Sequence, residues 1–122
     1  MNVLDGAVAS GLVRVGDAAV GRASGDLPPG PVRIGVRPEF VRLTSEEAPP
    51  GIAARVTGID RMGAYDLVHA QVNGHPLVAR TDAAAVREPG SVTFLRFAEG
   101  RAFLFRDAVR CGVVEPLPGS AP

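Results

Sequence analysis

The sequence predicts a small all-β fold, a barrel of short antiparallel strands, and two observations carry that expectation. Apolar and polar residues alternate at a period of two over several short stretches, as along Val32, Ile34 and Val36. Between the stretches, turn-forming residues such as Gly16-Asp17 and Asn73-Gly74 recur at roughly ten-residue spacing, a pattern that goes with all-β sandwiches and barrels. A chain of 122 residues makes about one domain and buries roughly two-thirds of its unfolded surface. We therefore expect a single domain over residues 1–116, with N-terminal strands and a loop in 1–30, the main barrel in 31–116, and a disordered tail over 117–122.

In chain order, Leu12–Val15 and Ala18–Val20 predict two strands joined at Gly16-Asp17 and forming a modest lid. Arg22–Gly30 has the Gly, Ser, Asp and Pro content of a loop. The central stretch follows. From Pro31 to Leu43, three β-branched residues share one strand face while Arg33 and Arg37 share the other. Pro38, which has no N–H and a fixed φ, turns the chain after Arg37 and brings Glu39 within reach of it. Phe40, Val41 and Leu43 return apolar side chains to the core. Thr44–Pro50 predicts a second loop, in which Glu46-Glu47 is a solvated pair.

Ile52, Ala54 and Val56 alternate inward before a tight turn at Arg61–Ala64, where Gly63 supplies a positive φ. Tyr65–Val72 returns with Val68, Ala70 and Val72 on one face and Leu67, His69 and Gln71 on the other. Asn73-Gly74 then signals a hairpin leading into Leu77–Thr81. Ala83–Arg87 predicts one helical turn, stopped by Pro89-Gly90. Val92–Phe97 and Ala102–Phe105 predict two strands joined at Ala98–Gly100 and forming the main aromatic core, since they hold four of the five Phe. Across the fold, Val32, Ile34, Val36, Val56, Val68, Phe94 and Leu104 are the expected inward set.

Composition narrows the function. Thirteen basic residues, all Arg, balance thirteen acids, so no overall field draws in nucleic acid or an anionic membrane. With one Tyr and no Trp, the aromatic platforms of a single-strand binder are also short. Cys111 is the one cysteine; no internal disulfide is possible, a reducing compartment fits, and the thiol is expected as a small core hydrophobe. No apolar run approaches the length of a membrane span and no leader is evident, so direct membrane insertion is not expected. A chain without Lys cannot supply a P-loop, and the common nucleophile and zinc motifs are missing. We expect no catalytic residues, no metal and no cofactor. His69 is expected as a hydrogen-bonded strand histidine and His75 as surface.

The segment Ile34–Leu43, IGVRPEFVRL, resembles the G-[IV]-R-P-E-x-[VL] segment of the C-terminal regulatory domain, called TOBE, in ATP-binding subunits of maltose- and glycerol-phosphate-type sugar ABC importers. Three further segments are similar to the same domain, in order: Met1–Gly6 to its opening M-N-[FL]-[LI]-x-G, Val56–Tyr65 to its V-x-x-[VI]-E-x-[LM]-G hairpin, and Gly90–Arg106 to its closing motif. The resemblance implies an oligonucleotide/oligosaccharide-binding (OB)-like barrel and a non-catalytic regulatory and dimerisation role. It also implies an ABC ATPase domain as partner, membrane permease subunits reached through it, and a cytoplasmic location at the inner membrane. Because the matching Met is internal in that family, the chain is expected to be a module detached from its nucleotide-binding domain.

Two candidate sites follow. Arg37, Pro38 and Glu39, with Arg33 and Arg42, form a candidate turn, ligand or interface site, and the three Arg are the anion donors of an alternative reading as a free-standing oxyanion or sugar-like ligand binder. Leu95, Phe97, Phe103 and Phe105 form a candidate patch for a weak homodimer, because both faces of the closing hairpin are apolar and each must be covered.

Overall fold

The computed structural model describes residues 1–44, 51–82 and 92–117, and these form eleven strands and one 3-10 turn. The elements are β1 (Asn2–Ala9), β2 (Leu12–Val15), β3 (Ala18–Ala23), β4 (Gly30–Val36), η1 (Pro38–Phe40), β5 (Val41–Thr44), β6 (Ile52–Arg61), β7 (Tyr65–Val72), β8 (His75–Asp82), β9 (Val92–Phe97), β10 (Ala102–Arg106) and β11 (Val109–Glu115). The Glu46-Glu47 loop, the Ala83–Arg87 helical turn, Pro89-Gly90 and residues 118–122 of the tail lie outside the described residues.

The strands sort into two antiparallel sheets, which bears out the small all-β, OB-like barrel class. β1-β2-β3-β11-β10-β4 close into a barrel, and β5-β9-β6-β7-β8 form a five-stranded sheet. The second sheet curls until Cα atoms of its two edge strands, β5 and β8, come within 8 Å, yet no ladder joins them. It is a partly open barrel. The strands expected as a lid are staves of the closed barrel, because β2 and β3 pair with each other and are held by β1 on one side and β11 on the other. Gly21 permits the tight closure at β11, since a Cβ there would lie 2.4 Å from the Glu115 carbonyl oxygen.

Face assignments in the central stretch follow the alternation. Val32, Ile34 and Val36 are buried while Arg33 and Arg37 are exposed, and Val56, Val68 and Leu104 are also buried. Phe94 is the exception. It is half-buried, whereas its neighbour Leu95 is fully buried. The cause is the position of β9 between β5 and β6, where Leu95 lies opposite Leu43 on one side and Ile52 on the other. Directly opposed residues share a sheet face, and Ile52 is itself buried, so Leu95 is fixed inward.

The expected aromatic core is likewise corrected. Phe94, Phe97, Phe103 and Phe105 are all half-buried, and the largest fully buried side chains are Leu, Ile and Val. In a small barrel the inward-facing side chains fill the interior, and here the large fully buried ones are branched aliphatics.

Candidate functional site

Arg37 precedes Pro38 in an extended conformation, with φ −76° and ψ 150°, and caps the 3-10 turn without a side-chain hydrogen bond. Pro38 occupies the turn's first position, where the absence of an N–H costs nothing, and its carbonyl accepts from the Val41 N–H as the chain leaves for β5. No ion pair joins Arg37 to Glu39; instead the Arg42 guanidinium donates to the Glu39 carbonyl oxygen at 3.3 Å. The turn is held by its backbone. Phe40 lies beneath the Arg101 guanidinium, 4.9 Å from the ring centre.

The three candidate anion donors do not converge. Arg33 is on the outside of the closed barrel, where it pairs with Asp5 at 3.8 Å, both side chains being mostly exposed. Such a pair adds little stability. Asp5 also meets His75 Nε2 at 3.4 Å, so His75 is half-buried at the junction of the sheets rather than free surface. Arg42 instead faces a cleft of about 390 Å³ between the edges of the open sheet, shared with Glu39, Val41, Leu43, Ala64, Tyr65, Arg80, Thr81 and Asp82. Arg37 lines neither this cleft nor the second one, of about 690 Å³, which runs along Asp5, Pro29–Arg33 and Phe105–Ala108.

The candidate dimer patch divides. Leu95 is excluded by burial, and Phe97 packs against the core cluster. Phe103 and Phe105 do point outward from β10, opposite the fully buried Ala102 and Leu104. Gly35 lies opposite both Val3 and Phe103. Having no side chain, it leaves a depression over which Met1 Sδ and the Phe105 ring close to 3.1 and 3.0 Å of where a Cβ would be. Met1 and Val3 are 71% and 49% exposed, so an outer apolar strip crosses β1, β4 and β10. Arg110 covers part of it, its guanidinium 4.1 Å from the centre of the Phe103 ring.

Asn2 is a structural residue that pattern reading did not single out. Its side-chain amide donates to the Val78 carbonyl at 2.7 Å and accepts from the Val78 N–H at 2.9 Å. One side chain thus imitates a neighbouring strand and ties the closed barrel to the exposed edge of β8. Asp66, buried on the inner face of β7, is ion-paired with Arg61. His69 Nε2 meets Asp60 at 2.8 Å, the hydrogen-bonded state expected of it. Cys111 is half-buried against the core, its sulfur 3.6 Å from the Leu104 carbonyl oxygen. Among the described residues no helix is long and apolar enough to cross a membrane.

A family model described as TOBE domain matches residues 34–105, from the middle of β4 to the end of β10. The match spans the whole open sheet, the Arg37-Pro38-Glu39 turn and parts of two staves of the closed barrel, β4 and β10. No curated protein matches the chain.

Proposed function

We propose a role in solute import for this chain, which belongs to the TOBE domain family. TOBE domains are non-catalytic regulatory and ligand-binding modules of ABC transporter subunits. The finer reading is that this one is the regulatory and dimerisation domain of the ATP-binding subunit of a sugar importer. The observation supporting it is the ordered set of four segments, Met1–Gly6, Ile34–Leu43, Val56–Tyr65 and Gly90–Arg106, three of which fall wholly or mostly inside the matched region.

Within that role, the outer strip of Met1, Val3, Phe103 and Phe105 is the surface on which two copies meet. Its residues are apolar and lie on or beside β1 and β10, whose other faces are already buried, so a second copy removes from water what the fold leaves exposed. The strip is small, and the contact is expected to be a weak equilibrium below the ~1,200 Å² typical of stable interfaces. The oxyanion-binding alternative loses support from the separation of Arg33, Arg37 and Arg42.

Sedimentation equilibrium over a wide concentration range tests the dimer. Reversible dimerisation that Phe105→Glu abolishes is the expected result, and a strict monomer at millimolar concentration refutes it. Co-purification with a named ABC ATPase and its permease from native membranes tests the transport assignment. Calorimetric titration with magnesium-ATP should give no binding heat, since the chain has no Lys to reach the phosphates. A one-to-one micromolar isotherm would overturn the regulatory reading.

A further inference from the structure

The cleft between β5 and β8 has a charge pattern that the transport reading leaves unexplained. Each wall carries one cation and one anion: Arg80 and Asp82 on β8, Arg42 and Glu39 on the η1–β5 wall. Yet none of the four takes part in an ion pair with another described residue. Opposite charges that share a cleft without meeting leave their hydrogen-bonding capacity for something placed between them.

Local structure explains why they stay apart. Arg80 and Asp82 are two residues apart on the outer face of β8, and Asp82 lies directly opposite Tyr65 on β7. The central carbon of the Arg80 guanidinium sits over the Tyr65 ring, 4.0 Å from its centre. The cation–π contact holds the guanidinium over the ring face, and its N–H donors remain available to a planar acceptor such as a carboxylate. Across the gap, Arg42 is held over the turn by the Glu39 carbonyl.

Geometry and charge then select the occupant. An added β-strand would need roughly 9.6 Å between its flanking strands, whereas β5 and β8 already approach within 8 Å. A peptide strand is excluded. A cleft of about 390 Å³ falls at the small end of ligand sites, which run from roughly 300 to 1,000 Å³. A simple anion would meet the guanidiniums but also two carboxylates, and a simple cation the reverse. We propose that the cleft binds a small dipolar molecule with one carboxylate and one ammonium, an amino acid being the simplest of that class. Its carboxylate pairs with Arg80 and its ammonium with Asp82, while Arg42 and Glu39 on the facing wall meet the amino acid's side chain where it has one. This site is separate from the outer barrel strip, and its failure leaves the dimerisation reading untouched.

The test is a two-dimensional amide NMR titration of the intact chain with glycine, glutamate and arginine, and with acetate and methylammonium as single-charge controls. Saturable shifts at Arg42, Tyr65 and Arg80–Asp82 are expected with at least one amino acid. Arg80→Met and Asp82→Asn should each weaken that binding roughly tenfold or more. Thermal midpoints of both variants should match the parent, because Arg80 and Asp82 are exposed. Acetate saturating the same residues as tightly as an amino acid would overturn the proposal in favour of an anion site. Absence of saturation, or shifts mapping elsewhere, would overturn it outright.

Discussion

Leu95→Ala is the sharpest probe of the architecture, because the expected inward set holds Phe94 while the sheet order turns Leu95 inward. Leu95 is fully buried between Leu43 and Ile52, while Phe94, larger and more apolar in area, is only half-buried on the other face. Removing the three carbons beyond Cβ forfeits about 0.8 kcal/mol each, or roughly 2.4 kcal/mol of transfer free energy. The cavity left in a closely packed sheet interior raises the loss to about 3–4 kcal/mol. With a urea m-value near ~2 kcal/mol/M, the unfolding midpoint falls by about 1.5–2 M. Phe94→Ala loses contacts only from a partly solvated ring, so its shift should be under half as large. Urea denaturation of both variants, followed by far-ultraviolet circular dichroism, decides between them. If Phe94→Ala costs as much as Leu95→Ala, the placement of β9 as an inner strand with Leu95 inward is wrong.

Asn2→Ala should cost about 1–3 kcal/mol by orphaning both backbone groups of Val78, and it should strip hydrogen-exchange protection from the Val78 amide; unchanged protection there would disprove the clamp. Ala108→Gly should raise the melting temperature by about 4 °C, because Ala108 sits at φ 63° in the β10–β11 turn and a side chain in that region costs roughly 1 kcal/mol or more; a lower melting temperature would count against strain at that turn.

The parts of the fold that were legible are those where turn chemistry and alternation agree. Asn73 and Gly74 take φ values of 48° and 79°, Gly63 takes 97°, and the hairpins they close are where the dipeptides place them. The parts that were not legible fail for identifiable reasons. β11 follows a turn built on Asp107-Ala108, both at positive φ, and an Asp-Ala pair carries none of the usual glycine signal for that geometry. β1 is longer than the segment that resembles a family opening, and its turn at Ser10-Gly11 passes unremarked beside the more obvious Gly16-Asp17. In β9 both faces are apolar, so periodicity cannot choose between Phe94 and Leu95; only the pairing with β5 and β6 can.

The same limit applies to the candidate sites, and it explains which of them survived. Arg33, Arg37 and Arg42 look like one cationic group in sequence because they lie within ten residues, but Pro38 redirects the chain from the closed barrel into the open sheet between the first two and the third. A proline that ends one sheet and starts the next therefore disperses the charges it sits among. Conversely, the cleft that does bring charges together draws Glu39 and Arg42 from one side of the chain and Tyr65, Arg80 and Asp82 from a hairpin beyond. No spacing rule connects those residues. They meet because the five-stranded sheet curls without closing, so the gap between its two edges, β5 and β8, is created by topology and lined by side chains that only the strand order β5-β9-β6-β7-β8 makes neighbours.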